Sequence, residues 1–340
     1  MAKRSPAFAW ARIFRRQWLT LSRESLRAGQ RAAAKAVRPG VAVRLPPAGD
    51  GAWTAGVALG VGGARRYRLY QPPGAAPGDR LALIVMLHGC AQDATSFALA
   101  IRMNRLAAEK RFLVLYPEQD HVANPQGCWN WFDTKSGRAY REAALIMKAI
   151  DQVCLLHPVD RARVAIAGLS AGASMAALVA SLHPERFKAV VMHSGIPPGT
   201  AHSALSALAA VHRQRATRPL PARTQEMASA WPPLLVVHGR ADRVVSVGYG
   251  RAAAQQWADA AGAKAGTSRT VQRGRRHAAT VTQFKAKGRM VATLMEVDRL
   301  GHAWSGGAPQ QPFSDALGPD ASRLIWTFVS KRSGAERTVA

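Results

Sequence analysis

One serine lies where the sequence predicts the junction of a buried strand and a helix. Ser170 is the centre of the pentapeptide GLSAG at 168–172, which matches the pattern G-x-S-x-G. The apolar run at 164–167 predicts a strand, and the small residues after the pentapeptide favour a helix. In that order these elements form a nucleophile elbow, which exposes the serine hydroxyl and leaves the next amide free. We predict that Ser170 is a nucleophile and that the N–H of Ala171 binds an oxyanion; a simple core turn is the alternative.

A serine hydroxyl needs a base to accept its proton, and the base needs an acid to orient it. After a nucleophile elbow these residues follow in the order serine, acid, histidine. Asp242 comes shortly after the apolar run LLVVH at 234–238, and His302 lies in a glycine-rich loop after the last predicted strand. We predict that they are the acid and the base. A turn aspartate and a solvent-exposed histidine are the alternatives.

Four other titratable residues compete for these roles. Asp259 falls within a predicted helix, and Asp298 lies at the edge of a predicted strand. His88 and His238 occupy turns at strand ends, where an imidazole more often binds backbone groups. We therefore favour Asp242 over these carboxylates.

A second oxyanion donor is expected in the loop after the strand at 81–87, where the sequence reads HGC. We assign it to the N–H of Cys90. The Cys90 side chain could pair with Cys128, or both could be buried thiols. Since the sequence predicts a cytoplasmic protein, the thiols are favoured.

Three tryptophans, Trp129, Trp131 and Trp304, occur in predicted loops rather than at core spacing. Near a site at the strand ends they would form an aromatic surface that binds an apolar polymer or acyl chain. Anchoring of the loops is the alternative for each of them.

Strands that alternate with helices predict an α/β class with a mostly parallel, doubly wound sheet. Residues 53–70 read as an N-terminal antiparallel hairpin, and 270–297 as a second hairpin. An alanine-rich helical insertion at 197–232 would form a lid or cap. With the serine turn in mid-chain, this arrangement predicts the α/β-hydrolase fold.

The 340 residues divide into a basic extension with a linker at 1–52 and a catalytic domain at 53–334. Lysine and arginine number 47 against 20 acidic residues, for a net charge of +27. Residues 1–40 contain 10 of the basic residues and one acid, and their apolar residues recur at near-helical spacing. They predict an amphipathic helix with a basic face, which could contact a granule or another anionic surface. A helix packed on the body or a tail is the alternative. The charge alone does not identify a ligand, because GC-rich coding also produces many arginines. No nucleic-acid-binding motif accompanies the charge, so we expect no specific nucleic-acid partner.

The three cysteines do not have the spacing of a metal site, and the reaction chemistry considered above requires no cofactor. The sequence shows neither an apolar run of membrane-spanning length nor a secretory signal, so we expect a cytoplasmic location.

Several motifs together carry a family resemblance. They are LHGCAQ at 87–92, YPEQ at 116–119, NPQGCWNWF at 124–132, VDRARVAIAGLSAGASMA at 159–176, HGRADRVV at 238–245 and DRLGHAWSGG at 298–307. Over residues 53–331 the chain resembles the polyhydroxybutyrate depolymerase esterases, whose relatives include feruloyl and acetylxylan esterases. The resemblance implies an α/β-hydrolase that cleaves esters of poly(3-hydroxybutyrate) or similar substrates. It places Ser170, Asp242 and His302 at the triad positions and Cys90 in the oxyanion motif. Many members of this family are secreted, so an extracellular location is the alternative.

The expected function is thus a serine esterase that works through an acyl-enzyme. Activity on feruloyl, acetylxylan or small esters, a serine peptidase activity, and a non-enzymatic role in surface binding are the alternatives.

Overall fold

The computed structural model describes residues 49–201, 203 and 230–333. Its main sheet contains β1 (Ala52–Gly60), β2 (Gly63–Gln71), β3 (Leu81–Leu87), β4 (Leu113–Pro117), β5 (Val159–Leu169), β6 (Ala189–His193), β7 (Leu234–Gly239), β8 (Lys264–Ala265), β9 (Arg269–Val271), β10 (Ala279–Ala286) and β11 (Arg289–Val297). The helices are α1 (Ala94–Ile101), α2 (Met103–Lys110), α3 (Arg138–Leu156), α4 (Ala171–Leu182), α5 (Val247–Ala260) and α6 (Ala321–Ser333). Two short strands, β12 (Trp304–Ser305) and β13 (Ser314–Asp315), pair separately.

The strand order in the main sheet is β1-β2-β4-β3-β5-β6-β7-β11-β10-β8, with β9 also paired to β10. The six strands from β4 to β11 in this order are mutually parallel. The hairpin of β1 and β2 adds antiparallel strands at one edge, and β10 with its partners does so at the other. The predicted α/β-hydrolase fold, with its mostly parallel sheet and N-terminal hairpin, is confirmed.

Helices cover both faces of the sheet, which explains why the parallel strands are continuously apolar. Leu83, Val85 and Leu87 of β3 pack into one core with α3, α4 and α5. Ile84 and Met86, which alternate with them, pack into a second core with α1, α2 and α6. Successive side chains of a strand point to opposite faces, so one apolar strand contributes to both cores.

Two predicted strands have different boundaries. The elbow strand begins at Val159 rather than at 164, because Val159 lies opposite Leu81 of β3 and an irregularity in the pairing accommodates the polar residues before Val164. The predicted long strand at 270–284 is divided into β9 and β10, since the intervening loop turns through Gly274 with a φ of 55°. The hairpin of β10 and β11 is confirmed.

The predicted amphipathic helix at 1–40 lies outside the described residues, as does most of the predicted insertion at 197–232. Both remain predictions.

Within the described part of the chain, no helix is both long and apolar enough to span a membrane.

Candidate active site

The three residues predicted for the site meet at the edge of the sheet formed by the carboxyl ends of the parallel strands. Ser170 follows β5, Asp242 follows β7, and His302 follows β11. Ser170 Oγ lies 2.9 Å from His302 Nε2, and His302 Nδ1 lies 2.8 Å from Asp242 Oδ2. These distances make a continuous hydrogen-bonded chain from carboxylate to hydroxyl.

The Asp242 carboxylate is buried and fixed from two sides. Its Oδ1 accepts hydrogen bonds of 2.9 Å from the N–H groups of Val244 and Val245. Burial acts to raise its pKa, but the positive charge that His302 carries when protonated and the hydrogen bonds from His238 and His302 outweigh burial and hold the pKa of Asp242 well below its usual range. The ionised carboxylate accepts the Nδ1–H of His302, and this leaves Nε2 free to accept the Ser170 proton.

Ser170 has the strained backbone of an elbow, with φ of 56° and ψ of −121°. Two glycines allow this turn. A Cβ on Gly172 would lie 2.2 Å from the carbonyl oxygen of Leu87, and one on Gly168 would lie 2.4 Å from the carbonyl carbon of Gly172. Backbone therefore packs on backbone here, and the prediction of a strand, a sharp turn and a helix around Ser170 is confirmed.

Both predicted oxyanion donors lie next to Ser170. Ala171 is the first residue of α4, where the helix dipole favours negative charge. Cys90 follows Gly89, on which an added Cβ would lie 3.6 Å from Ser170 Cβ. Neither the N–H of Ala171 nor that of Cys90 donates a hydrogen bond to another described residue.

Cys90 and Cys128 form a disulfide, so the prediction of two buried thiols is wrong. The bond joins the HGC loop to the loop at 118–137, and further hydrogen bonds support the junction. Trp129 Nε1 donates to the carbonyl of His88 at 3.0 Å, and Gln119 Nε2 donates to the carbonyl of Cys128 at 3.0 Å. The two cysteines are brought together by the packing of these loops, which their spacing in the sequence does not reveal.

The predicted aromatic surface is also wrong. Trp129 and Trp304 are fully buried, and Trp131 is nearly so. The guanidinium of Arg65 lies 5.1 Å above the Trp129 ring, and Trp304 stacks on His193 at 4.9 Å. These tryptophans anchor their loops, because a long loop of polar residues needs an apolar core of its own.

The competing residues have other partners. Asp259 accepts a hydrogen bond from Gln255, and Asp298 pairs with Arg240 at 3.2 Å. His88 Nδ1 donates to the carbonyl of Gly89, while its Nε2 accepts the N–H of Gln119. His238 Nε2 lies 2.8 Å from the carbonyl oxygen of Val245 and 3.5 Å from Asp242 Oδ2. The prediction that these two histidines bind backbone groups is confirmed, and His238 also contacts the Asp242 carboxylate.

Sequence reasoning missed a group of buried polar residues that hold the loop at 118–137. Arg65 Nη1 donates to the Glu118 carbonyl at 2.8 Å and to Gln119 Oε1 at 2.7 Å. Glu142 accepts hydrogen bonds of 2.9 and 2.6 Å from the backbone and side chain of Asn130. Burial lowers the pKa of Arg65, and the Glu142 charge opposes this shift. Charged residues at apolar positions of a strand and a helix were the available signal.

His193 was missed as well. Its Nε2 accepts the N–H of Ser305 at 3.0 Å, behind the loop that carries His302. Complete burial lowers the pKa of His193 to about 3 and that of His88 to about 4, so both imidazoles are neutral in the folded protein.

A doubly wound sheet with a serine elbow and an aligned histidine and aspartate at its carboxyl edge defines the α/β-hydrolases. The family model described as esterase PHB depolymerase matches residues 65–280, and the chain belongs to this family.

Two relatives and one solved structure show the range of similar proteins. Poly(3-hydroxyalkanoate) depolymerase C of Paucimonas lemoignei is 36% identical over 126 residues, which are 37% of this chain and 30% of that protein. Feruloyl esterase B of Neurospora crassa is 27% identical over 194 residues, which are 53% of this chain and 65% of that protein. The chain thus spans less than two thirds of the length of either relative. The acetyl xylan esterase structure from Aspergillus awamori has a TM-score of 0.58 at 16% identity, and the match covers 82% of this chain and 99% of that one. At this identity the structure supports the fold alone.

We expect the substitution Gly172→Ala to destabilise the protein by about 2–3 kcal/mol or more, because the new Cβ would overlap the backbone at the end of β3. Gly78→Ala is the matched control, since a Cβ there meets nothing within 4 Å and the expected change is within about 0.5 kcal/mol. Urea unfolding measures both. Equal stability of the two variants would show that the elbow has more room than these distances imply.

We expect the free energy of unfolding to fall as the pH is lowered from about 6.5 to about 4. In this range the unfolded chain binds protons at His88 and His193, while the folded protein does not. Each histidine contributes about 1.4 kcal/mol per pH unit to this slope. The variant His88→Gln keeps a hydrogen-bond donor and acceptor and should lose one such contribution. Urea titrations at several pH values measure the slopes, and identical slopes for wild type and variant would contradict the burial of a neutral His88.

Proposed function

We propose that the protein is a serine carboxylic ester hydrolase in which Ser170, His302 and Asp242 form the catalytic triad. The observation that carries this proposal is the hydrogen-bonded chain from Asp242 through His302 to Ser170 Oγ. Membership of the esterase family supports it. In this role His302 is the base, Asp242 orients and stabilises it, and Ser170 is the nucleophile.

In the first half of the reaction, His302 Nε2 accepts the Ser170 proton while Oγ bonds to the ester carbonyl carbon. The carbonyl oxygen becomes an oxyanion, which the N–H groups of Ala171 and Cys90 bind. The ionised Asp242 stabilises the imidazolium that has formed. When the intermediate collapses, the ester bond breaks, the imidazolium gives its proton to the leaving alcohol, and the acyl group stays on Ser170.

In the second half, water takes the place of the alcohol. His302 removes a proton from the water as the water oxygen bonds to the acyl carbon, and the same two N–H groups bind the oxyanion again. Collapse returns the proton to Ser170 Oγ and releases the carboxylic acid. The free enzyme is then ready for another ester.

The proposed substrates are poly(3-hydroxybutyrate) or its oligomers. Support comes from the family and from the relative in Paucimonas lemoignei, whose name is that of a poly(3-hydroxyalkanoate) depolymerase. A feruloyl or acetylated plant polymer is the second candidate, favoured by the name of the Neurospora crassa relative. Contact of residues 1–40 with a granule or another anionic surface is part of the proposal, and it is supported by their charge and by the amphipathic pattern of their sequence.

We expect Ser170→Ala to lower kcat for p-nitrophenyl butyrate by at least about 10⁴-fold, because the nucleophile is lost. Ser181→Ala on the same helix is the matched control. Its hydroxyl donates only to the carbonyl of Leu178, one turn back, so activity should be kept. Thermal unfolding of both variants checks the fold. If Ser170→Ala retained activity, the assigned nucleophile would be wrong.

A panel of substrates separates the candidate functions. It contains 3-hydroxybutyrate oligomers, amorphous polymer granules, a feruloyl ester, an acetylated xylan and a peptide anilide. We expect release of 3-hydroxybutyrate at the highest kcat/KM, with no release in the Ser170→Ala variant. Preference for the feruloyl or acetyl ester would show that the second candidate, a plant polymer, is the substrate. Cleavage of the anilide would favour a peptidase. No turnover of any substrate would favour a binding protein.

A further inference from the structure

The tip of the first hairpin exposes an apolar stripe. Val57 and Leu59 near the end of β1 are 48% and 76% exposed, and Val61 in the turn is fully exposed. These are three of the seven large hydrophobic side chains that are exposed among the described residues. Single exposed apolar residues are normal, whereas a cluster of them indicates a contact surface.

The strand register places the stripe on one face. Val57 lies opposite Arg66, and Leu59 lies opposite Ala64 on β2. Ala58, which points to the other face, is buried in the core beside α3. Val57 and Leu59 therefore lie on the face of the hairpin turned away from α3, and Val61 lies in the turn at its tip.

The pairing of β2 with β4 shows that the tip extends past the carboxyl ends of the parallel strands, which is where Ser170 lies. Tyr67 of β2 lies opposite Pro117, the last residue of β4. The four residues of β2 before Tyr67 continue past this carboxyl end, over about 14 Å at the usual rise of a strand. The exposed stripe and the candidate active site are thus on the same side of the protein.

Cations lie on both faces of the hairpin near its tip. Arg66 and Arg68 lie on the same face of β2, opposite Val57 and Ala55. On the opposite face, which packs on α3, a Cβ added at Gly62 would lie 3.5 Å from Arg141 Cβ, and one at Gly60 would lie 3.3 Å from Lys148 Cγ. Both of these α3 residues are exposed, and the acid nearest to Arg66 is Glu118, at 3.8 Å.

We propose that this hairpin tip binds an anionic lipid surface, with Leu59 and Val61 entering the headgroup region and the flanking cations binding lipid phosphates. An exposed apolar tip with arginine on one face, and arginine and lysine on the other, is complementary to such an interface. A second copy of the chain would bring like charges together, and an uncharged polymer surface would remove the cations from water without a counter-charge. Binding there would present the active-site edge to the surface.

The test uses the full-length chain and vesicles of phosphatidylcholine with or without an equal amount of phosphatidylglycerol. We expect Leu59→Ser/Val61→Ser to bind the anionic vesicles about tenfold more weakly than wild type in co-sedimentation. Leu155→Ser/Leu156→Ser is the matched control, because these residues are 76% and 63% exposed at the end of α3, away from the tip. It should bind as wild type does. Equal binding of the hairpin variant and wild type would overturn the proposal, and thermal unfolding confirms that both variants are folded.

A second measurement locates the contact. An environment-sensitive fluorophore is attached at Val61→Cys, with Leu155→Cys as the control. The native cysteines do not compete, because Cys154 is buried and the other two are bonded. We expect a blue shift on anionic vesicles only for the label at the hairpin. A blue shift only on polyester particles would contradict lipid binding and identify an apolar solid as the partner. A blue shift that needs no lipid and grows with protein concentration would identify a second copy of the chain as the partner.

Discussion

The close contact between the end of β3 and the start of α4 is the constraint on which the rest of the site depends. Gly172 lies against the carbonyl groups of Leu87 and His88 with no space for a side chain. This contact holds the elbow beside the HGC loop, so the Ser170 hydroxyl and the N–H of Cys90 are positioned by one piece of backbone packing. Because backbone atoms cannot change rotamer to relieve an overlap, the arrangement is stiff.

Around this contact the protein places two opposite charges in its interior. Arg65 from β2 holds the start of the loop at 118–137, and Glu142 from α3 holds Asn130 near its middle. Buried charges are costly unless hydrogen bonds and an opposite charge compensate them. Here they bind main-chain groups of a long loop, which otherwise would have few regular hydrogen-bond partners. The disulfide between Cys128 and Cys90 links this loop covalently to the HGC segment and so helps to fix the position of that segment.

The sequence was sufficient for the features that depend on local pattern and on topology. The apolar runs predicted the parallel strands, and the glycines around Ser170 predicted the turn. The order of Ser170, Asp242 and His302 after three strands placed them at one edge, because parallel strands share their carboxyl edge. Their common position at this edge was enough to predict the hydrogen bonds that join Asp242 to His302 and His302 to Ser170.

Features that depend on how loops pack could not be predicted in the same way. Whether Trp129 and Trp304 point inward is decided by contacts with Arg65 and His193, which are distant in the sequence. The partner of Cys90 is likewise decided by the path of the loop at 118–137. The length of the elbow strand was underestimated because its first residue, Val159, pairs with β3 across an irregularity whose polar residues have no apolar pattern.

The strand order has a consequence for how the site comes into being. β11 lies between β7 and β10, and His302 follows it, 132 residues after Ser170. The contact between these two residues therefore forms only when the sheet has been extended through β11, near the end of the chain. During synthesis from the N-terminus, the elbow emerges long before its histidine. The nascent protein thus carries an unpaired serine, and its hydroxyl meets a base only in a molecule whose sheet is complete.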